Sequence, residues 1–212
     1  MRWIATFVAF LALACAACTS SSGDPPSPTL TAPHTTASVP APVTSSMSVA
    51  PPQPTRPSVP ADVPRTGPNT KPGEKPPVMP LEATQHTPEG AKAFAEFFIK
   101  TIDWGYATTS STYMRHYFTR CSDCDAVVRT INKDARLHHR YIGGRLVEQS
   151  ATLVPVPRNA RVVVTVDGTA REVVTQHGDF VSADPAHPGL KFGVTTRWMH
   201  AQWQVVDLGV VV

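Results

Sequence analysis

The chain has 212 residues, a formal net charge of +3, 42% hydrophobic and 17% charged residues. The balance is too even for a nucleic-acid binder that works through bulk positive charge, and no run of Lys/Arg concentrates it. Twenty-two prolines and four cysteines are spread unevenly, so the chain divides by composition before any element is assigned.

Met1-Arg2 carries the only basic side chain before a run, Trp3 to Leu13, that is apolar apart from Thr6. The run is much shorter than the ~20 residues a membrane-spanning helix needs, and it fits the apolar core of a signal peptide. Leu13-Ala14-Cys15-Ala16-Ala17-Cys18 follows. Small residues before a cysteine suit a lipoprotein cleavage and acylation site. Cys18 is favoured as the lipidated residue because polar Thr19-Ser20-Ser21-Ser22-Gly23 comes straight after it; Cys15, preceded by Leu13-Ala14, is the alternative. An ordinary secretory signal cut near Ala17 is the rival. Residues 1–17 are thus expected to be a signal peptide. The expected location is the outer face of the cell membrane, held by acyl chains that each contribute ~0.8 kcal/mol per buried CH₂.

From Thr19 to Gln85 the chain holds 17 of its 22 prolines and no aromatic residue. So little apolar surface cannot offset the entropy of ordering, and residues 18–86 are expected to be a disordered Pro/Ser/Thr tether. Its reach lies between ~45 Å as a coil and ~200 Å as polyproline II.

Residues 87–212 are long enough for one domain with its own core. Thr87-Pro88-Glu89 supplies a hydroxyl cap, a proline and an acid for a helix start. Ala91, Phe94, Phe98, Ile102 and Tyr106 continue it at helical spacing to about Ala107. Tyr113 to Thr119 reads as a short second helix. Ser122 is the expected N-cap of a third, with Asp125 three residues on in a capping-box-like position, and its stripe is Cys124, Val127, Val128, Ile131, Ala135 and His138, ending before Gly143-Gly144. The period then falls to two. Strands are expected over 145–154, 160–166, 170–176, 191–198 and 202–211, with Asp167-Gly168 as a hairpin turn and a loop over 178–189. The fold class is α+β: three N-terminal helices packed on a curved antiparallel sheet of about five strands.

Asp103-Trp104-x-Tyr106, the Cys-x-x-Cys at 121–124 and the closing Trp198-x4-Trp203-x-Val-Val-Asp207 resemble a family of uncharacterised actinobacterial, mycobacterial-type lipoprotein domains. More broadly the domain resembles the NTF2-like (SnoaL/ketosteroid-isomerase-like) cone. The lipoprotein family implies a membrane-tethered extracytoplasmic domain without an assigned chemistry. In cone folds the first helices line a pocket, which makes Asp103, Tyr106 and His116 candidates for proton transfer; ketosteroid isomerase pairs an Asp base with a Tyr donor. The resemblance also places Trp104, Tyr106 and Trp198 in the pocket. Each has a plainer account as a packing or surface residue, and a shared fold does not transfer activity.

Cys121 and Cys124 suit four chemistries. A structural disulfide is favoured in an oxidising compartment. A redox pair gains from the helix N-terminus but lacks a preceding strand. Free thiols remain open, and a zinc site lacks two of its four ligands. His138-His139-Arg140 complements a helix C-terminus. His177, His187 and His200 are scattered over expected loops and turns, and Asp179, Asp184, Pro185 and Pro188 lie in the long loop as a possible partner surface. The expectation is a non-enzymatic module that binds a protein partner or small ligand in the cell envelope, with no cofactor, metal or nucleic acid. An enzyme working through Asp103 and His116 and a structural spacer are the alternatives.

Overall fold

The structure, a computed structural model, describes residues 57–156 and 158–211. The expected signal peptide, both candidate lipidation cysteines, Cys15 and Cys18, and the first part of the expected tether lie outside the described residues.

Helix α1 (Pro88–Thr108) starts where its sequence dictates: the Thr87 hydroxyl accepts from the Gly90 N–H at 3.0 Å, and proline sits in the first turn. It ends at Thr109 in the left-handed region, φ 52°. Helix α2 (Thr112–Arg115) is a single turn, shorter than its expected span. Helix α3 (Ser122–Arg136) begins one residue after its cap, Cys121, whose Sγ accepts from the Cys124 N–H at 3.2 Å. Cys121 and Cys124 form a disulfide with Cα atoms 5.2 Å apart, and both are buried.

Seven strands follow: β1 (Arg140–Gly143), β2 (Leu146–Val156), β3 (Asn159–Gly168), β4 (Arg171–Val174), β5 (Phe180–Asp184), β6 (His187–Met199) and β7 (Gln202–Val211). They form two sheets. One has the order β2-β3-β6-β7, the other β1-β4-β5. The expectation of three helices on one curved sheet of about five strands, the NTF2-like cone, is therefore corrected: there are two separate antiparallel sheets, of four and three strands. The physical cause lies at Asp167-Gly168. Those residues do not turn a hairpin, because β3 pairs with β2 and β6 while β4 pairs with β1 and β5. Gly168 is absent from the positive-φ glycines, so it does not supply the left-handed step of a tight two-residue turn. The chain leaves one sheet there and enters the other.

The core lies between α1 and one face of the four-stranded sheet. Phe94, Phe97, Phe98 and Ile102 on the helix share a cluster with Val162, Val164, Val166 and Val194 of β3 and β6 and with Val205 and Leu208 of β7. Burying each such side chain contributes roughly 1.5–3 kcal/mol. The alternation on β3 is strict, buried at 162, 164 and 166. On β7, Trp203, Gln204 and Val205 are all buried, and a bulge opposite Thr195/Thr196 resets the register.

Residues 57–86 correct the tether boundary. They pack on the domain as a strap. Val63 and Ala83 are buried in the main core cluster. The Trp104 indole N–H donates to the Pro64 carbonyl at 3.0 Å, the Tyr113 hydroxyl to that of Pro77 at 2.5 Å, and the Trp203 indole to that of Gln85 at 2.8 Å. A 3-10 turn, Leu81–Thr84, sits near its end. Gly67 lies so close to α1 that a Cβ there would stand 2.3 Å from Thr108 Cα. The strap brings few apolar residues of its own; the domain supplies the surface that orders it.

Candidate functional site

The residues singled out in the sequence fall into separate places. Asp103 accepts from the Leu146 N–H at 2.8 Å and from Arg145 Nη2 at 2.7 Å. The same guanidinium reaches Glu74 of the strap at 2.6 Å. Asp103 is therefore occupied in joining α1, β2 and the strap. His116 Nε2 contacts the Asp62 carboxylate at 3.1 Å. Trp104 is buried in the core and bound to the strap, so it lines no pocket. Trp198 stacks on His86 with centroids 4.9 Å apart and meets Trp203 edge-on at 5.2 Å. It lines an open groove of about 590 Å³ beside Leu153, Pro155 and Val156. Tyr106 belongs to a different cavity. The arrangement does not bring Asp103, Tyr106 and His116 together as an acid–base set.

The cavity at Tyr106 is a cleft of about 310 Å³ built by α1, α3 and both sheets. Its apolar wall comes from Ile102 of α1, Val127 of α3, Leu146 of β2, Leu190 and Phe192 of β6, and Leu208 of β7. Such a mix of apolar lining and few polar groups is typical of small-molecule sites, at the small end of their size range. The polar side chains on the lining are Arg171, Asp184, His187, Thr169 and Tyr106; Arg171 and Asp184 face each other across the β4–β5 register. Arg171 Nε donates to Asp184 Oδ2 at 3.0 Å, and Nη2 also reaches that oxygen. The guanidinium carbon lies 5.2 Å from the Tyr106 ring centre and 5.6 Å from that of Tyr141, within cation–π range of both. The two rings meet edge-to-face at 5.1 Å. Tyr141 is fixed in turn by its hydroxyl, which donates to Asp134.

The backbone makes room for this. Gly143 and Gly144 have φ of 71° and 69°, and a Cβ on Gly144 would lie 2.8–2.9 Å from the Arg171 side chain. The Gly-Gly pair thus lets the arginine stem lie flat against the chain. Burial pushes the Tyr106 phenol above its ordinary pKa, so it presents a neutral hydroxyl rather than a base. The cleft has an apolar floor and one guanidinium held at its edge. It can bind; its carboxylate is already engaged by the arginine.

Tyr106 lines this cleft, although the cone fold from which a pocket role was expected is not the one observed. Asp184 stands out in the sequence only as a loop residue of a partner surface and Arg171 not at all, because their pairing depends on β5, which reads as part of a Gly/Asp/Pro loop.

A protein-family model described as a family of unknown function (DUF6318) matches residues 67–209. Its start inside the strap agrees with the strap being part of the folded unit. A comparison with curated proteins returns no match. Among solved structures, the crystal structure of the intermembrane space region of the chloroplast protein ARC6 is similar, with a TM-score of 0.44 and 12% identity. The alignment covers 60% of this chain and 98% of that one. A likeness at that level lends no argument about function.

Proposed function

The chain belongs to the family of unknown function (DUF6318), and from its own geometry we propose that it is a lipid-anchored, extracytoplasmic binding module whose cleft takes a small amphipathic acid. One observation carries the binding reading: six apolar side chains from two helices and three strands converge below a single guanidinium that is oriented by Asp184 and two tyrosines. A hydrocarbon tail matches the floor. A carboxylate or phosphate matches the arginine fork, in competition with Asp184. The anchor rests on the sequence before Thr19: a short apolar run, small residues and Cys18. Among the described residues no helix is long and apolar enough to cross a membrane. Proton transfer by Asp103, Tyr106 and His116 finds no support, since each is held by different partners.

Dodecanoate is a suitable probe. Saturable binding to the full chain is expected. Arg171→Gln is expected to weaken it about tenfold, ~1.4 kcal/mol, and Leu190→Trp to abolish it by filling the floor. Equal binding by all three proteins, with unchanged melting temperatures, would remove the proposal. The anchor is tested separately: Cys18→Ala is expected to release the protein from membranes or leave an unprocessed precursor, and unchanged retention would point to Cys15 or to no lipid at all.

A further inference from the structure

A second concave surface lies away from the cleft, where the connection between α2 and α3 meets the β6–β7 turn. This groove opens to about 790 Å³. Arg115, Arg120 and Arg197 line it, with Phe118 and Met199 as apolar patches between them. No carboxylate is among the lining residues, and among the described residues none of the three arginines makes an ion pair. Asp62, at the groove's edge, is taken by His116.

The arginines are mounted on fixed supports. The connecting segment is tied to β7 through a parallel bridge between Phe118 and Val205. The Thr119 N–H donates to the Val205 carbonyl at 3.0 Å, and the Val205 N–H to that of Tyr117 at 2.9 Å. Arg197 is oriented by Asn159 at 2.9 Å, an uncharged partner that leaves the guanidinium's charge unneutralised. The backbone around the groove is strained. Arg120, His200 and Ala201 have φ of 49°, 50° and 61°, where non-glycine residues cost roughly 1–2 kcal/mol each. A two-residue turn with both φ positive ordinarily takes Asn-Gly; this chain places His-Ala there. Strain of that kind concentrates at binding sites.

We infer that this groove binds a phosphate-bearing anionic chain, held by Arg115, Arg120 and Arg197. Guanidinium forks pair two-pronged with phosphate oxygens, and three of them along one groove match a repeating anion better than a single small ion. The groove offers one phenylalanine and no Trp or Tyr, which is a poor platform for stacked bases, so a nucleic acid is the weaker occupant. This inference concerns a different surface from the cleft and stands whether or not dodecanoate binds there.

The test uses the full chain and inorganic polyphosphate, with affinity measured across a salt series. The wild type is expected to bind with an affinity that falls steadily as salt rises. The combined Arg115→Gln, Arg120→Gln, Arg197→Gln variant is expected to lose at least tenfold. A charge-matched control, Arg129→Gln, Arg136→Gln, Arg158→Gln, removes three exposed arginines elsewhere and is expected to stay within twofold of wild type. Equal losses in the two variants, or none in the first, would overturn the inference. So would tighter binding of poly-L-glutamate or of an oligothymidylate than of polyphosphate, which would assign the groove to carboxylates or to nucleic acid.

Discussion

Arg145 holds three segments of chain at one point: Glu74 of the strap, Asp103 of α1 and its own strand neighbourhood in β2. Its guanidinium pKa is raised by the hydrogen bonds it donates to the carboxylates of Glu74 and Asp103. Its bond to Glu74 holds that carboxyl below the ordinary value of 4.5. A depressed carboxylate pKa contributes stability above the unfolded value, and that contribution is lost as pH falls through the folded one. The Glu74 contribution is therefore complete at neutral pH and fades below about pH 4.5. Glu74→Gln is expected to melt lower than wild type at pH 7 and to converge with it in acid; a constant gap at all pH values would contradict this. Glu96 has the opposite sign. Burial and the charge of Glu148 raise its pKa. Its ionised form is thus unfavourable, and Glu96→Gln is expected to melt higher than wild type at pH 7 but not in acid. The disulfide closes a very small loop, for which chain entropy predicts ~2 kcal/mol. Replacing Cys121 and Cys124 together with serine is expected to cost about that much in denaturant titrations. Labelling of both thiols in the unreduced, denatured protein would contradict the bond. Cys121 and Cys124 were legible as a pair from their spacing and the expected compartment; the Arg145 cluster was not, because its members come from positions 74, 103 and 145 and only the fold joins them.

At the scale of elements, α1 starts where capping places it and β3 alternates as a half-buried strand should, whereas α3 is capped by Cys121 rather than Ser122 and ends at Arg136, before His138. The misses have physical reasons. β1 and β5 are four and five residues long, and β5 is exposed at Phe180 to Ala183, so neither carries a readable alternation. Pro155 suggested the end of β2, yet β2 is the outer strand of its sheet and tolerates a residue without an N–H. The strap is the most instructive. Its composition argues for disorder when weighed alone, but the carbonyls of Pro64, Pro77 and Gln85 are acceptors, and Trp104, Tyr113 and Trp203 are buried aromatics that need them. A chain starting at residue 57 is expected to unfold cooperatively near the wild-type temperature. A chain starting at residue 87 leaves those three donors unsatisfied, at about 1–3 kcal/mol each, and opens the core at Val63 and Ala83. It is expected to lose its cooperative melt, and a retained one would show the strap to be an accessory.

For the whole molecule, splitting the strands into two sheets is what creates the cleft. A single curved sheet under the helices would leave no boundary where Arg171 and Asp184 could stand above Leu190, Phe192 and Leu208. The central claim is that this cleft, rather than the groove beside Trp198, receives an amphipathic acid. Methyl chemical shifts of the isotopically labelled full chain during a dodecanoate titration test it most directly. The account predicts saturable shifts at Ile102, Val127, Leu146, Leu190 and Leu208, which line the cleft. Shifts gathered instead at Leu153, Val154 and Val156, beside Trp198, or no saturable shift at all, would contradict it.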